Sequence, residues 1–332
     1  MAEHNGVMVF GEVKEGRLAV ITTELLGCGR RLANELGQEL ACLLVGSEVS
    51  GLAQEAISFG ADKVYVVSDP LLKDYQTEAY LFVSDKVARQ VMPRVILLGQ
   101  TAIGRDLAPR LAFRLDTALT TDCVELAIDP DSKLLLMTKP VYGGNAQAIF
   151  SSETLPQMAT VRTKAMSPLE RDNSRQGEVI TVEAGLDPSS LRAQFVEKVA
   201  AEVEGIRLED AEVVVAGGRG IGGAEGFTQL GELAKILKGA VGASRPPCDN
   251  GWMPSANQIG LTGKIIAPDL YFAVAISGAS QHITGCSGAK TIVAINKDSE
   301  ANIFREASFG VVGDWKQVLP ALTAKVKELL AD

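Results

Sequence analysis

Residues 277–282 read SGASQH and follow directly on the apolar run YFAVAI. Serine, glutamine and histidine at the exit of a buried strand put hydrogen-bonding groups where open α/β sheets bind ligands, beyond the carboxyl ends of their strands. His282 is one of two histidines in the chain; taken alone, it also fits a plain hydrogen-bonder at a helix start. A second stretch, AEVVVAGGRGIGGAEGFTQLGELAKILKG (211–239), runs from a strand through a glycine cluster into a helix. Gly218, Gly220 and Gly223 there satisfy GxGxxG, a spacing that lets a pyrophosphate approach a helix N-terminus. The same glycines also fit a tight strand–helix turn with no ligand. Arg219, inside the cluster, suits an anion better than a core. Dinucleotide folds place an acid about 20 residues further on, against the ribose hydroxyls. Ser244 and Arg245 stand there instead, so an ordinary NAD site is not expected. Pro246 and Pro247 stiffen the chain after Arg245 and aim its side chain at a fixed target, a phosphate or a cofactor that develops negative charge.

The elements that must position these groups are legible as an alternation. VMVF, ACLLVG, KVYVVSD and RVILLG are short apolar runs that read as buried strands. Between them, 23–37, 52–61 and 75–91 carry helical spacing. That rhythm predicts a mainly parallel sheet with helices on both faces. From Thr120 to Arg162 consecutive β segments either extend that sheet or form a small antiparallel layer. The polar stretch 166–178 reads as a linker or a long surface loop, and 191–204 as a helix leading into a second α/β unit. The reading is α/β in two domains: 1–190, an N-terminal parallel-sheet scaffold, and 191–332, a C-terminal Rossmann-like domain.

The bulk numbers exclude several classes. Acidic residues outnumber basic ones 41 to 32, and aromatics are 5% of the chain. Neither fits a nucleic-acid binder, which needs a basic footprint or stacking platforms. Five scattered cysteines with no CxxC point to reduced thiols rather than disulfides or a metal site. The N-terminal residues MAEHNGVMVFGE lack the pattern of a signal or transit peptide. No apolar run reaches the roughly 20 residues that a membrane helix needs. The expectation is a cytoplasmic protein that is not integral to a membrane.

The motifs GGRG, SRP, TGK, AISGASQH, AINKD and FGVVGDW, in this order and spacing, resemble the alpha subunit of electron-transfer flavoprotein. The likeness extends to TAIGRDLAPRLAFRL, TTDC, PVYGGNA and PQMATVR in the first domain. The resemblance implies an extended FAD in the second domain, near the interface with a smaller beta subunit. It implies that Arg219 and Gly220 lie by the cofactor, and that Ser244 and Arg245 flank the isoalloxazine. Gln258, Gly260, Thr262 and Gly263 match a QxGxTGK motif whose threonine hydroxyl meets the ring near N5. Ser277, Gly278, Ala279, Gln281 and His282 match SGxxQH, with the histidine near the flavin O2. Asn296, Lys297 and Asp298 match a motif at the nucleotide side, and Asp314 and Trp315 begin the last helix near the adenosine. Where the family commonly has glutamine, this chain has Leu261, so any polar contact there falls to the backbone.

On this resemblance a positive group, a helix N-terminus and hydrogen-bond donors at SGASQH favour the reduced, anionic flavin. Arg245, His282 and the backbone supply them. One reading is a carrier that takes electrons from acyl-CoA dehydrogenases and passes them to a quinone reductase. A second is the bifurcating form, in which a second FAD held by the beta subunit takes hydride from NADH. It then divides the electrons between an acyl-CoA dehydrogenase and ferredoxin or flavodoxin. A cysteine-rich iron–sulfur fusion is not expected. A third reading, an NAD-dependent dehydrogenase, rests on GxGxxG alone and lacks the ribose acid. YGGN (142–145) is a tight turn or a contact with the beta subunit's nucleotide, and a hinge is expected over 185–208.

Overall fold

A strand buried on both faces must be apolar at every position, and its alternate side chains must find two different cores. β1 (Val7–Gly11) does this: Val7 and Val9 join one cluster, Met8 and Phe10 another. The computed structural model describes residues 4–144, 146–193, 195–197 and 206–330. After β1 come the short ribbon β2 (Val13–Lys14) and β3 (Arg17–Leu18), then α1 (Val20–Leu36), β4 (Leu40–Gly46), α2 (Ala53–Ser58) and β5 (Lys63–Ser68). Next are α3 (Thr77–Val91), β6 (Val95–Gly99), α4 (Ala102–Arg114) and β7 (Leu119–Cys123). β8 (Glu125–Ile128), β9 (Leu135–Val141), β10 (Ala146–Phe150), β11 (Gln157–Val161) and β12 (Glu178–Thr181) follow. Seven strands form one parallel sheet in the order β12-β5-β4-β1-β6-β11-β7. β8, β9 and β10 form a separate three-stranded sheet in which β8 and β9 run antiparallel.

Both alternatives for 120–162 are thus realised, β7 and β11 extending the main sheet and β8–β10 making the antiparallel layer. The stretch 166–178 is a surface loop and not a linker, because β12 returns after it to the edge of the first sheet beside β5. Arg175 ties the loop down through Asp62 (2.9 Å), and the Asp172 amide donates to the Ser58 carbonyl (2.9 Å). The helix expected over 191–204 lies largely outside the described residues; 191–193 and 195–197 are not helical. The hinge expected over 185–208 lies in part outside them. YGG at Tyr142–Gly144 is a 3-10 turn, and Asn145 is outside the described residues.

Contacts divide the chain into Met1–Val141 with Gln147–Lys198, and Tyr142–Ala146 with Val199–Asp332. The second unit holds β13 (Val213–Gly217), α5 (Ala224–Ile236), β14 (Ala240–Ala243), α6 (Arg245–Asp249) and β15 (Leu270–Val274). It continues with α7 (Ser280–Cys286), β16 (Thr291–Asn296), α8 (Ile303–Glu306), β17 (Phe309–Val312) and α9 (Trp315–Leu329). Its five strands are all parallel, in the order β14-β13-β15-β16-β17. Tyr271 and Ala273 of β15 face one core, Phe272 and Val274 the other. No helix among the described residues is long and apolar enough to cross a membrane.

Two carboxyls sit inside the first unit. Glu12 follows β1, is 8% exposed and accepts from the Thr101 hydroxyl (2.7 Å) at the start of α4. Glu24 on α1 accepts from the Lys164 amide (2.8 Å). Burial pushes both up to about 7. The folded chain therefore holds protons that the unfolded chain releases above its ordinary 4.5. The stabilisation from these protons is fully present below that value and is lost as pH rises through 7. Glu12→Gln keeps the acceptor for Thr101 and removes the buried charge. It should raise the thermal midpoint at pH 8, by the equivalent of about 1–3 kcal/mol, and leave it unchanged near pH 4.5. Melting curves at the two pH values check this; a variant no more stable than the parent at pH 8 would contradict it.

Candidate functional site

Counted within the second unit, the strand order is 2-1-3-4-5. The chain leaves the first strand toward one edge of the sheet and returns to build toward the other. That reversal opens a crevice at the carboxyl ends of β13 and β15, where open α/β sheets place ligands. A cavity of 790 Å³ lies there. Gly218, Arg219 and Gly220 line it from the β13 exit, and Ser244 and Arg245 from the β14 exit. Gln258, Gly260, Leu261 and Thr262 contribute from a loop, while Ser277, Ala279, Gln281 and His282 come from the β15 exit and α7. Asn296, Lys297 and Asp298 complete it from the β16 exit. A larger cavity, of 1000 Å³, is lined in the first unit by α3, α4 and residues 185–193. It gathers none of the expected site residues.

The crevice exists because backbone packs on backbone. Gly218 is extended, and its amide donates to the Val274 carbonyl (2.9 Å). A β-carbon at Gly218 would fall 2.1 Å from the Ala275 carbonyl oxygen, so only hydrogen fits. Ala275 itself is held at φ 52°, a left-handed conformation that costs a non-glycine residue about 1–2 kcal/mol. Such strain persists only where surroundings enforce it. Here the Ala275 amide donates to the Ile295 carbonyl (2.7 Å) and Asn296 Nδ2 donates to the Ile276 carbonyl (2.9 Å). Gly278 turns the chain at φ 84°, and a β-carbon there would lie 2.2 Å from the Ile303 nitrogen.

Four expected site residues are not among those that line this cavity. Gly278 makes the turn just described. The Gly263 amide closes the loop by donating to the Gly260 carbonyl (3.0 Å). Asp314 caps α9, accepting from the Lys316 amide (3.0 Å). Trp315 is buried and its Nε1 donates to the Gly220 carbonyl (3.2 Å), bracing the glycine turn from below.

The polar groups divide in kind. Arg219 and Lys297 are exposed and have no ion-pair partner among the described residues. Arg245 is paired with Asp249 one helical turn away (3.2 Å). Gln258 Nε2 donates to the Thr262 hydroxyl (2.9 Å). His282 is 6% exposed and both its ring nitrogens are engaged inside the protein. Nδ1 lies 3.0 Å from the Ile259 carbonyl and Nε2 2.8 Å from the Tyr271 hydroxyl. Burial lowers its pKa to about 4, so the ring is neutral near pH 7. It offers no positive charge to the cavity, and in this arrangement no free N–H, in place of the donor expected from the sequence. Asp249, Ala275, Ile276 and Ala301 also line the cavity and were not among the expected site residues, although Ala275 and Ile276 open the motif AISGASQH. Asp249 had a signal, an acid four residues after Arg245; Ala301 had none.

The set fits a dinucleotide. The cations Arg219 and Lys297, without ion-pair partners among the described residues, suit a diphosphate. Neutral hydrogen-bonding side chains suit the edge of a polar ring, and the cavity lies in the ~300–1,000 Å³ range of ligand sites.

Comparison with known proteins agrees with the geometry. Residues 7–187 match the family described as the electron transfer flavoprotein domain, and residues 207–287 the electron transfer flavoprotein FAD-binding domain. The chain is 46% identical over 331 residues to the electron transfer flavoprotein subunit alpha of Thermoanaerobacterium thermosaccharolyticum, covering 99% of this chain and 100% of that one. It is 45% identical over 331 residues to the subunit alpha of Megasphaera elsdenii, covering 99% and 98%. Protein FixB of Clostridium saccharobutylicum is 42% identical over 332 residues, covering 100% and 99%. With family matches in both halves and relatives aligned end to end, the chain belongs to the electron transfer flavoprotein alpha-subunit family, and FAD is its cofactor.

Proposed function

We propose that FAD binds in the crevice at the carboxyl ends of β13 and β15. The loaded chain, with its beta subunit, would carry electrons from an acyl-CoA dehydrogenase to a quinone reductase. The observation that supports this most is the convergence of four strand exits on one cavity in the FAD-binding half, with two cations that lack ion-pair partners. Five cysteines, all buried and unpaired, support a reducing compartment, so the proposed location is the cytoplasm.

FAD supplies one- and two-electron chemistry when bound. The chain's part is binding and tuning. Arg219 and Lys297 are free to neutralise a diphosphate. Thr262 accepts from Gln258, so its own hydroxyl proton is left to donate to a ring acceptor. Leu261, exposed at the cavity, lays an apolar side chain on the entrance and limits water there. Arg245 adds positive charge that favours a reduced anion, and Asp249 offsets part of it. His282 acts by shape and hydrogen bonding, being neutral.

Flavin and nucleotide counts on the complex with the beta subunit test the proposal. One FAD and one AMP per heterodimer is the expected result. Two FAD and no AMP would replace the simple carrier with the bifurcating, NADH-using account. No flavin, even after soaking in FAD, would overturn the site.

Arg245→Ala should lower the midpoint potential of the bound flavin by roughly 20–60 mV, a few-fold to tenfold change per electron. Asp249 and water keep the shift at that modest size. A reductive titration checks it, and an unshifted potential would remove Arg245 from the tuning.

A further inference from the structure

Tyr271 does not line the cavity, yet its hydroxyl is aimed at a residue that does. It is fully buried, and a buried tyrosine hydroxyl needs a partner. Its partner is His282 Nε2, at 2.8 Å. The other ring nitrogen faces a carbonyl, that of Ile259 at 3.0 Å, and a carbonyl can only accept. Nδ1 therefore carries the proton, Nε2 accepts, and the Tyr271 O–H donates. The remaining polar side chain facing this pair, Cys286, donates its thiol to the His282 carbonyl at 3.6 Å, and its sulfur is also within hydrogen-bonding reach of the Tyr271 hydroxyl.

The order of donors runs from the core to the loop that carries Gln258 and Thr262. Ile259 is held on its other side as well, its amide donating to the Ala243 carbonyl at the end of β14 (2.8 Å). Two residues on, the Leu261 amide donates to the Gln281 carbonyl (2.7 Å). Residues 259–261 are thus clipped to 281–282 by one side-chain and one backbone bond. Flanking them, Gln258 and Thr262 reach the cavity and bond each other.

We propose that Tyr271 is a positioning residue: its hydroxyl fixes His282 as the Nδ1–H tautomer, which seats the 258–262 loop and so aims the Thr262 hydroxyl at the cavity. The assignment rests on the flavin reading for the purpose of the loop, and on the geometry alone for the relay. Removing the hydroxyl leaves the buried Nε2 without a donor, a cost the ring can relieve by changing tautomer or by turning toward the cavity. Either move weakens the bond to Ile259.

The test uses the heterodimer with 15N-histidine in this subunit alone, where only His4 and His282 can give signals. The parent should show a protonated Nδ1 and an unprotonated Nε2 at His282, with and without FAD. Tyr271→Phe, which keeps the ring in the core, should replace that pattern by a mixed or averaged one. It should also speed exchange of the Leu261 amide roughly five- to tenfold. Ile292→Val, buried in the same core cluster as Tyr271 but without a polar side-chain atom, should leave both readings as in the parent. A parental tautomer pattern and parental Leu261 exchange in Tyr271→Phe would overturn the role. Equal changes in Ile292→Val would do so too, because they would mark general loosening of the core. Neither reading needs flavin, so a chain that binds no FAD would sink the cofactor site while leaving the relay to stand or fall by itself.

Discussion

The second unit depends on a constraint of room. At the exits of β13 and β15 two backbones lie so close that Gly218 has no space for a β-carbon beneath the Ala275 carbonyl. That approach sets the turn that begins at Gly218 and leads into α5. It is bought with a left-handed alanine at 275, held by a backbone bond at Ala275 and by the Asn296 amide bonded to the next residue. With the exits pressed together, the side chains that follow them have one direction left, outward over the carboxyl ends of the sheet. The cavity is what remains between them.

The groups around it are held at different tensions. Arg219 and Lys297 stand exposed without acid partners among the described residues, while Arg245 is already paired with Asp249. Side chains tied into the protein are tied tightly. Trp315 braces Gly220 from below, and His282 spends both nitrogens on Tyr271 and Ile259. A histidine in solution changes charge near neutral pH, but desolvation removes that freedom here. The electrostatic work at the site therefore falls to Arg219, Arg245 and Lys297.

Much of this was readable from residue order because the signals were local. VMVF and YFAVAI are apolar at successive positions, which only a strand buried on both faces explains, and both are such strands. The glycine spacing at 218, 220 and 223 and the stretch SGASQH mark strand exits, and they meet at one cavity. Segments whose partners lie far away in sequence were harder. Residues 120–162 alternate in a way that suits an edge of a large sheet or a small layer, and the chain makes both. The loop 166–178 reads like a linker because nothing within it announces that β12 rejoins the first sheet. Tyr271 looked like one more apolar position, since its hydroxyl finds His282 only in three dimensions. Gly278, Asp314 and Trp315 carried motif letters; in the fold Gly278 makes a turn, Asp314 caps α9 and Trp315 bonds the Gly220 carbonyl.

The most direct test of the central claim is a crystal structure of the heterodimer formed with FAD. The account predicts flavin density in the crevice of the second unit, with the ring beside the Gln258–Thr262 loop and Arg245, and the diphosphate against the turn that carries Arg219. An empty crevice, with the flavin held elsewhere on the complex, would contradict it.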